Sequence, residues 1–236
     1  MGRALCTARN ELNILKRGFR LGYELGKVDH VPRLPRIKLS NTRTGFVEAD
    51  ELKRVVAHLP AALQPLTRFA YLTGWRWGEV ATLRWSQVDF DAGIVRLEPG
   101  TTKNDDGRTL PFRAVPELEA LLLGQREHTS QVEVAKKRVV PFVFHRNGYR
   151  IKDIDRAWRI ACKAAGCPDR VFHDLRRSAV RNLERAGVPR SIAMKVTGHK
   201  TEAVYRRYAI VNEADIAEGL GKLGRFLERR SGAAGT

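Results

Sequence analysis

Residues 74–112, GWRWGEVATLRWSQVDFDAGIVRLEPGTTKNDDGRTLPF, decide the fold class. Gly74 at its head stops the helix that Pro65 opens in PLTRFAYLTG, an asymmetry that suits Pro to helix starts and Gly to helix ends. Beyond Trp85 the pattern changes to short runs rich in Val, Ile, Leu and Phe: QVDFD (87–91), GIVRLE (93–98) and RTLPF (108–112). Asp91-Ala92-Gly93 and Asn104-Asp105-Asp106-Gly107 separate these runs with turn chemistry, which predicts a small three-stranded antiparallel sheet. Upstream, EADELKRVVAHL (48–59) is an amphipathic helix with acids in its first turn, where the helix dipole favours them. Downstream, helical patterns resume at PELEALLLGQRE (116–127). They continue, after the apolar run VVPFVF (139–144), at about 152–165, 171–186, 189–196, 201–208 and 213–229. The predicted class is mainly α with one small three-stranded antiparallel β-sheet, an α+β fold.

Before this body lies a different kind of segment. Leu5, Ala8, Leu12, Leu15 and Phe19 repeat at helical spacing, so residues 5–25 read as one amphipathic helix ending near Gly22 to Gly26. A proline-containing, cationic stretch, VDHVPRLPRIKLSNTRTGF, follows as an extended linker. A single helix cannot bury its own apolar stripe. It either packs on the following domain or closes a domain whose remainder lies elsewhere.

The 236 residues carry 43 Lys plus Arg against 26 Asp plus Glu, a formal net charge of +17. A hydrophobic content of 43% supports a real core and excludes wholesale disorder. Residues 1–46 hold ten Lys/Arg against three Asp/Glu, so the helix and linker are more basic than the body. Such an excess points to a polyanionic partner, nucleic acid first. No apolar run reaches the roughly 20 residues of a membrane span, and the N-terminus lacks a signal-peptide core. Cys6, Cys162 and Cys167 are too few and too poorly spaced for a disulfide framework, and neither CxxC nor HExxH occurs. The expectation is a cytoplasmic protein with no metal and no cofactor.

Several side chains can carry chemistry. In VFHDLRRSAVRNLERAG, Phe172, Leu175, Ala179, Leu183 and Ala186 form the expected buried stripe. His173 and Arg176, three apart, share a neighbouring face, as an anion site or as part of a basic surface. In LTGWRWGEV, Arg76 follows the helix stop and Glu79 lies three residues on, close enough to orient it. Lys103 sits on the hairpin between the second and third strands. In VTGHKTEAVYRRY, Gly198-His199 turns into a helix bearing Tyr205 and Tyr208. Trp85, Trp158 and at least one of Trp75 and Trp77 read as core. His30, His58, His128 and His145 fit no constellation and read as surface or loop residues.

Taken in order, Arg in TGWRWGE, a hairpin Lys, HDLR, TGH and a Tyr nine residues after that His resemble the catalytic domain of the tyrosine recombinases, the phage-integrase family. The resemblance runs from about Gly45 to Leu227, and the fold it implies is the DNA breaking-rejoining fold. It divides the chain into residues 1–46, the terminal helix and linker of a core-binding domain, and residues 47–236, the catalytic domain. It makes Arg76 and Arg176 the catalytic arginines, Lys103 the hairpin lysine, His173 and His199 the two histidines, Tyr208 the nucleophile and Glu79 a supporting acid. Tyr208 keeps the spacing and RRY context of the family, and Tyr205 reads as helix packing. Arg176, not Arg177, keeps the three-residue spacing from His173. Thr197 stands where Leu is common before Gly-His, and Gln87 where an acid is common after Trp-Ser.

The resemblance implies site-specific recombination of double-stranded DNA through a 3′-phosphotyrosine and a Holliday junction. The assembly would be a homotetramer on paired sites, with accessory DNA-bending proteins as possible partners. Arg33, Arg36, Lys38 and Arg43 in the linker are the candidates for backbone contact. A type IB topoisomerase, using the same chemistry without strand exchange, and a non-catalytic DNA-binding regulator are the competing readings. The last helix repeats Ile216, Leu220, Leu223 and Leu227, a seam for its own domain or for a neighbouring protomer.

Overall fold

The computed structural model describes residues 2–37, 45–98, 107–208, 216–217, 219–225 and 228. Lys38, Arg43, Lys103, the turn residues 104–106 and Leu227 lie outside the described residues. The chain divides into two compact units, Met1–Thr44 and Gly45–Thr236.

The first unit is one long helix, α1 (Gly2–Glu24), followed by extended chain. Gly26, with φ +63°, turns the backbone out of the helix. Leu5 and Leu15 of the apolar stripe are 49% and 48% exposed, and Arg33 and Arg36 of the linker are exposed.

The second unit begins with α2 (Ala49–Ala57), capped reciprocally by Glu48 and Glu51. The helix α3 (Gln64–Thr73) carries Pro65 in its first turn and ends on Gly74 at φ +66°. A five-residue helix, α4 (Trp77–Ala81), leads into the sheet. Strands β1 (Val88–Asp89), β2 (Ile94–Leu97) and β3 (Arg108–Pro111) pair antiparallel in the order β1-β2-β3. Val95 faces both Val88 and Leu110 across the ladders. The expected three-stranded sheet is therefore present, shorter at its ends than the apolar runs suggested.

Next come α5 (Pro116–Lys136), α6 (Asp155–Ala164), α7 (Asp174–Arg185), α8 (Arg190–Thr197) and α9 (Glu202–Tyr205). The α5 helix extends about two and a half turns past the expected GlnArgGlu stop, to Lys136. Between α5 and α6 the run VVPFVF is irregular. It is pinned to the α4–β1 connection by Trp85 N–H to Pro141 O (3.0 Å) and Val143 N–H to Leu83 O (2.9 Å). It leads into a tight two-stranded hairpin, β4 (His145–Arg146) and β5 (Tyr149–Arg150), that periodicity did not reveal. Two residues per strand are too few to display an alternation.

The main core gathers Leu63, Leu66, Phe69, Leu122, Phe144 and Trp158, with Trp75 edge-on to Phe69 at 5.4 Å. A second, smaller cluster joins Val180, Ala193 and Tyr205, with Leu183 and Tyr208 packed against it. Cys162 is buried, and burial pushes its thiol up to about 12. No described helix is long and apolar enough to cross a membrane.

Three side chains depart from their sequence assignments. His145 is buried, not on the surface. Its Nε2 lies 3.0 Å from Thr129 Oγ1 and its Nδ1 accepts from the Gly148 N–H at 3.1 Å, so polar partners permit the burial. Trp85 is only partly buried, stacked on Phe90 at 6.2 Å. Ala186 is exposed, because α7 has already ended at Arg185.

Candidate active site

The site forms where three helix termini meet the edge of the sheet. Gly74 and Gly198, both left-handed, end α3 and α8 and aim the next residues back toward the core. The N-terminus of α7 supplies His173 and, one turn in, Arg176. Trp75 ties the first two termini together through Nε1–H to Val196 O at 3.0 Å.

Arg76 is the N-cap of α4, and Glu79 is its partner. Glu79 Oε2 accepts from the Arg76 backbone N–H at 2.8 Å, and Oε1 accepts from Arg76 Nη1 at 3.0 Å. Oε2 also accepts a very short bond from Arg108 Nη2. Burial alone would push the Glu79 carboxyl up. The Arg108 charge, the Arg76 N–H and the Arg76 charge outweigh it and hold the group below its ordinary value. Glu79 is thus a buried carboxylate shared between two arginines.

Sequence reasoning missed Arg108. Its guanidinium lies 4.5 Å from the Trp75 ring centroid, and its side chain is 10% exposed. The signal was available: Arg108 and Leu110 are two apart on β3, and Leu110 faces the core. A charged residue at an inward strand position is worth explaining, and here the explanation is Glu79.

Gly198 makes room for this arrangement. A Cβ there would meet Arg108 Nη1 at 1.5 Å, and its φ of +70° is one that other residues adopt at a cost. Gly198→Ala is therefore expected to displace Arg108 and to lower stability by at least about 1 kcal/mol from the left-handed backbone alone. Urea denaturation of the variant measures the loss.

Arg176 is 2% exposed, so of the two readings the burial favours an anion site over a basic surface. Its Nη1 donates to Gly74 O and Thr197 O, bridging the two glycine turns. His199 is 6% exposed, with Nδ1 2.7 Å from Thr197 Oγ1. Burial, then Arg176, Arg76, Arg108 and His173, push His199 down to about 3, so it is neutral at physiological pH. Arg76 Nη2 reaches Gly198 O at 3.4 Å.

Tyr208 completes the group. Its hydroxyl lies 3.0 Å from His173 Nε2, and its ring lies 4.8 Å from the His199 ring. The Arg176 and Arg177 guanidiniums sit 5.7 and 5.2 Å from its ring centroid. Burial, then the positive charges of Arg176 and Arg177, hold His173 below its ordinary value. A neutral Nε2 can accept the tyrosyl proton. Tyr205 is fully buried and its hydroxyl is pushed upward by burial, as suits helix packing. Arg177 is also buried, donating to Arg207 O at 3.2 Å and lying 3.7 Å from Asp174, so it braces the α9 end of the site.

Arg76, Glu79, Arg108, Gly198 and His199 line a cleft of about 450 Å³. Three buried nitrogens, Arg108 Nε, Arg176 Nη2 and His199 Nε2, have no hydrogen-bond partner among the described residues. Buried polar atoms without partners are uncommon, and several beside positive charges suit an anion. A larger groove of about 870 Å³, between α6 and the β4–β5 hairpin, contains none of these residues.

The model of the Phage integrase family matches residues 46–215. The chain belongs to the phage integrase family. Among curated relatives of this integrase-family chain, the integrase of Salmonella phage P22 is 26% identical over 87% of the chain and 54% of its own length. The shufflon-specific DNA recombinase of Escherichia coli is 25% identical over 86% and 50%. The chain spans about half the length of these relatives. A lambda integrase (75–356) dimer bound to a COC′ core site shares the fold with a TM-score of 0.69 at 20% identity, covering 86% of this chain and 73% of that one. A lambda integrase tetramer bound to a Holliday junction gives the same TM-score at 19% identity, covering 86% and 59%.

Proposed function

We propose that the chain carries the catalytic domain of a site-specific DNA recombinase of the integrase type, which cleaves and rejoins duplex DNA through a 3′-phosphotyrosine. One observation carries the reading: the Tyr208 hydroxyl, 3.0 Å from a neutral histidine nitrogen, stands beside a buried arginine with an unpartnered guanidinium nitrogen. That combination supplies a nucleophile, a proton acceptor and a fixed positive charge together.

The reaction follows from these groups. The Tyr208 oxygen attacks the scissile phosphorus in line as His173 accepts its proton. Arg76 and Arg176 meet the charge that develops on the non-bridging oxygens, with His199 adding a hydrogen bond. The P–O5′ bond breaks, and Lys103 is the proposed acid that protonates the departing 5′ oxygen. Because the phosphotyrosine keeps the energy of the broken bond, a 5′ hydroxyl can reverse the step without ATP.

In the same reading, residues 47–236 are the catalytic domain and residues 1–46 end a core-binding domain, with Arg33, Arg36, Lys38 and Arg43 on the DNA backbone. The division at Thr44/Gly45 supports that boundary. The lambda integrase dimer on a core site and tetramer on a Holliday junction support a tetramer of this chain on paired sites. The same proposal places it in the cytoplasm, with DNA-bending proteins as accessory partners. The test is a nicked duplex carrying the recombination site, whose cleaved fragment escapes and traps the intermediate. A covalent protein–DNA adduct is the expected result, and none on a verified site overturns the reading. Relaxation of supercoiled DNA without recombination would assign the chain to the topoisomerase class.

A further inference from the structure

Thr197 is fully buried at the last position of α8, two residues before His199. Its Oγ1 lies 2.7 Å from Ala193 O, one turn back, and 2.7 Å from His199 Nδ1. A hydroxyl owns one proton, and a carbonyl oxygen can only accept. With that proton on the Ala193 carbonyl, only a lone pair of Oγ1 faces the ring. Nδ1 must then carry the imidazole proton, and Nε2 is left as a bare acceptor.

That tautomer is unsuited to a phosphate. Nε2 is buried without a partner among the described residues, and two lone pairs would face each other if a phosphate oxygen approached it. A second ring proton would solve the problem, but the surroundings oppose it. Arg76 from the start of α4, Arg108 from β3 and Arg176 from α7 all add positive charge around His199, and His173 faces it from the start of α7. Lys195 and Lys200 line the same cleft. Glu79, the acid on that wall, is already shared between Arg76 and Arg108. The rings of Tyr205 and Tyr208, at 5.3 and 4.8 Å, contribute no charge of their own as phenols.

A third state is open at little cost. The Ala193 carbonyl belongs to the helix ladder, where the Thr197 N–H is its i−4 partner, so the hydroxyl bond is a second one that it can lose. Turning the hydroxyl toward Nδ1 makes that nitrogen the acceptor and requires the ring proton on Nε2. We propose that Thr197 is a positioning residue whose hydroxyl is a two-position rotor. It points to Ala193 in the empty site, and to His199 Nδ1 when a phosphate oxygen occupies the cleft, which turns Nε2–H into a donor. One ring proton leaves Nδ1 and one is taken up at Nε2 through water in the open cleft, so charge and proton count are unchanged. The inference rests on the strand-transfer reading of the site and concerns a residue that departs from the Leu common in the family.

Nitrogen-15 NMR of the histidine-labelled chain reads the tautomer directly. At pH 7.5, His199 is expected to show the Nδ1–H pattern in the free chain and the Nε2–H pattern at saturating inorganic phosphate. Thr197→Val keeps the shape and removes the hydroxyl. It should abolish the switch and slow adduct formation about tenfold, the worth of one hydrogen bond. Thr197→Ser should restore both. If His199 holds one tautomer with and without phosphate, the proposal is wrong, and the wild-type and Ser spectra decide this even if the Val variant fails to fold. A folded Val variant with wild-type rate and pH profile also overturns it. A chain that switches tautomer yet forms no adduct keeps the rotor and removes the recombinase reading instead.

Discussion

Tyr208→Phe is expected to bind DNA like the wild type and to form no covalent adduct with a nicked substrate, a loss on the order of 10⁵-fold or more for removal of a nucleophile. The substitution deletes one oxygen and leaves the ring where it is. That ring packs 4.8 Å from His199, 5.7 Å from His173 and beneath the Arg177 guanidinium at 5.2 Å, none of which needs the hydroxyl. Tyr205→Phe is the matched control. Its hydroxyl belongs to a fully buried residue, so its adduct yield should remain near that of the wild type. Gel detection of the adduct separates the two. An adduct that persists in the Tyr208 variant and vanishes in the Tyr205 variant would move the nucleophile by one helical turn.

Arg108→Met should be the most destabilising of the proposed changes, by about 3 kcal/mol, because it strips one partner from a buried carboxylate. Glu79 would keep only Arg76, whose side chain is 27% exposed against 10% for Arg108. The loss has a pH signature. In the wild type the depressed Glu79 carboxyl contributes stability that is complete above the ordinary carboxylate range and disappears as pH falls through its folded value. Without Arg108, burial is less opposed and that folded value rises. The difference between wild type and variant should therefore be largest near pH 7.5 and shrink as Glu79 takes up a proton in both. Urea titrations at pH 7.5 and 4.5 measure it, and Glu79→Gln in the variant should recover part of the loss. A penalty independent of pH would mean that Arg108 acts by packing on Trp75 and not through its charge. Adduct formation should fall as well, since Arg76 depends on the same carboxylate for its orientation.

The two arginines at the heart of these predictions illustrate how far the sequence could be read. Arg76 was legible because its partner lies three residues away, within one turn of a capped helix. Arg108 was not, because its partner is 29 residues distant and its role depends on a strand edge meeting a helix cap. The same division holds elsewhere. His173 and Arg176 sit together by helical spacing, yet the burial of Arg176 comes from Gly74 and Thr197, 102 and 21 residues away. Likewise His145 reads as a loop histidine until Thr129 and the β4–β5 turn close around it.

By itself the sequence determined the helix stop at Gly74, a turn at Gly198 and the three-stranded sheet, all local features that depend on glycine's left-handed freedom and on turn and strand patterns acting within a few residues. The choice of Tyr208 over Tyr205 rested on the resemblance to the family and not on periodicity. Only the tertiary structure decided which charges are buried, which carboxylate serves two arginines and which hydroxyl lies against His199. Those are properties of an enclosed space, where removal from water makes every polar atom find a partner or stay unsatisfied. Which partner it finds depends on chain segments that periodicity cannot bring together.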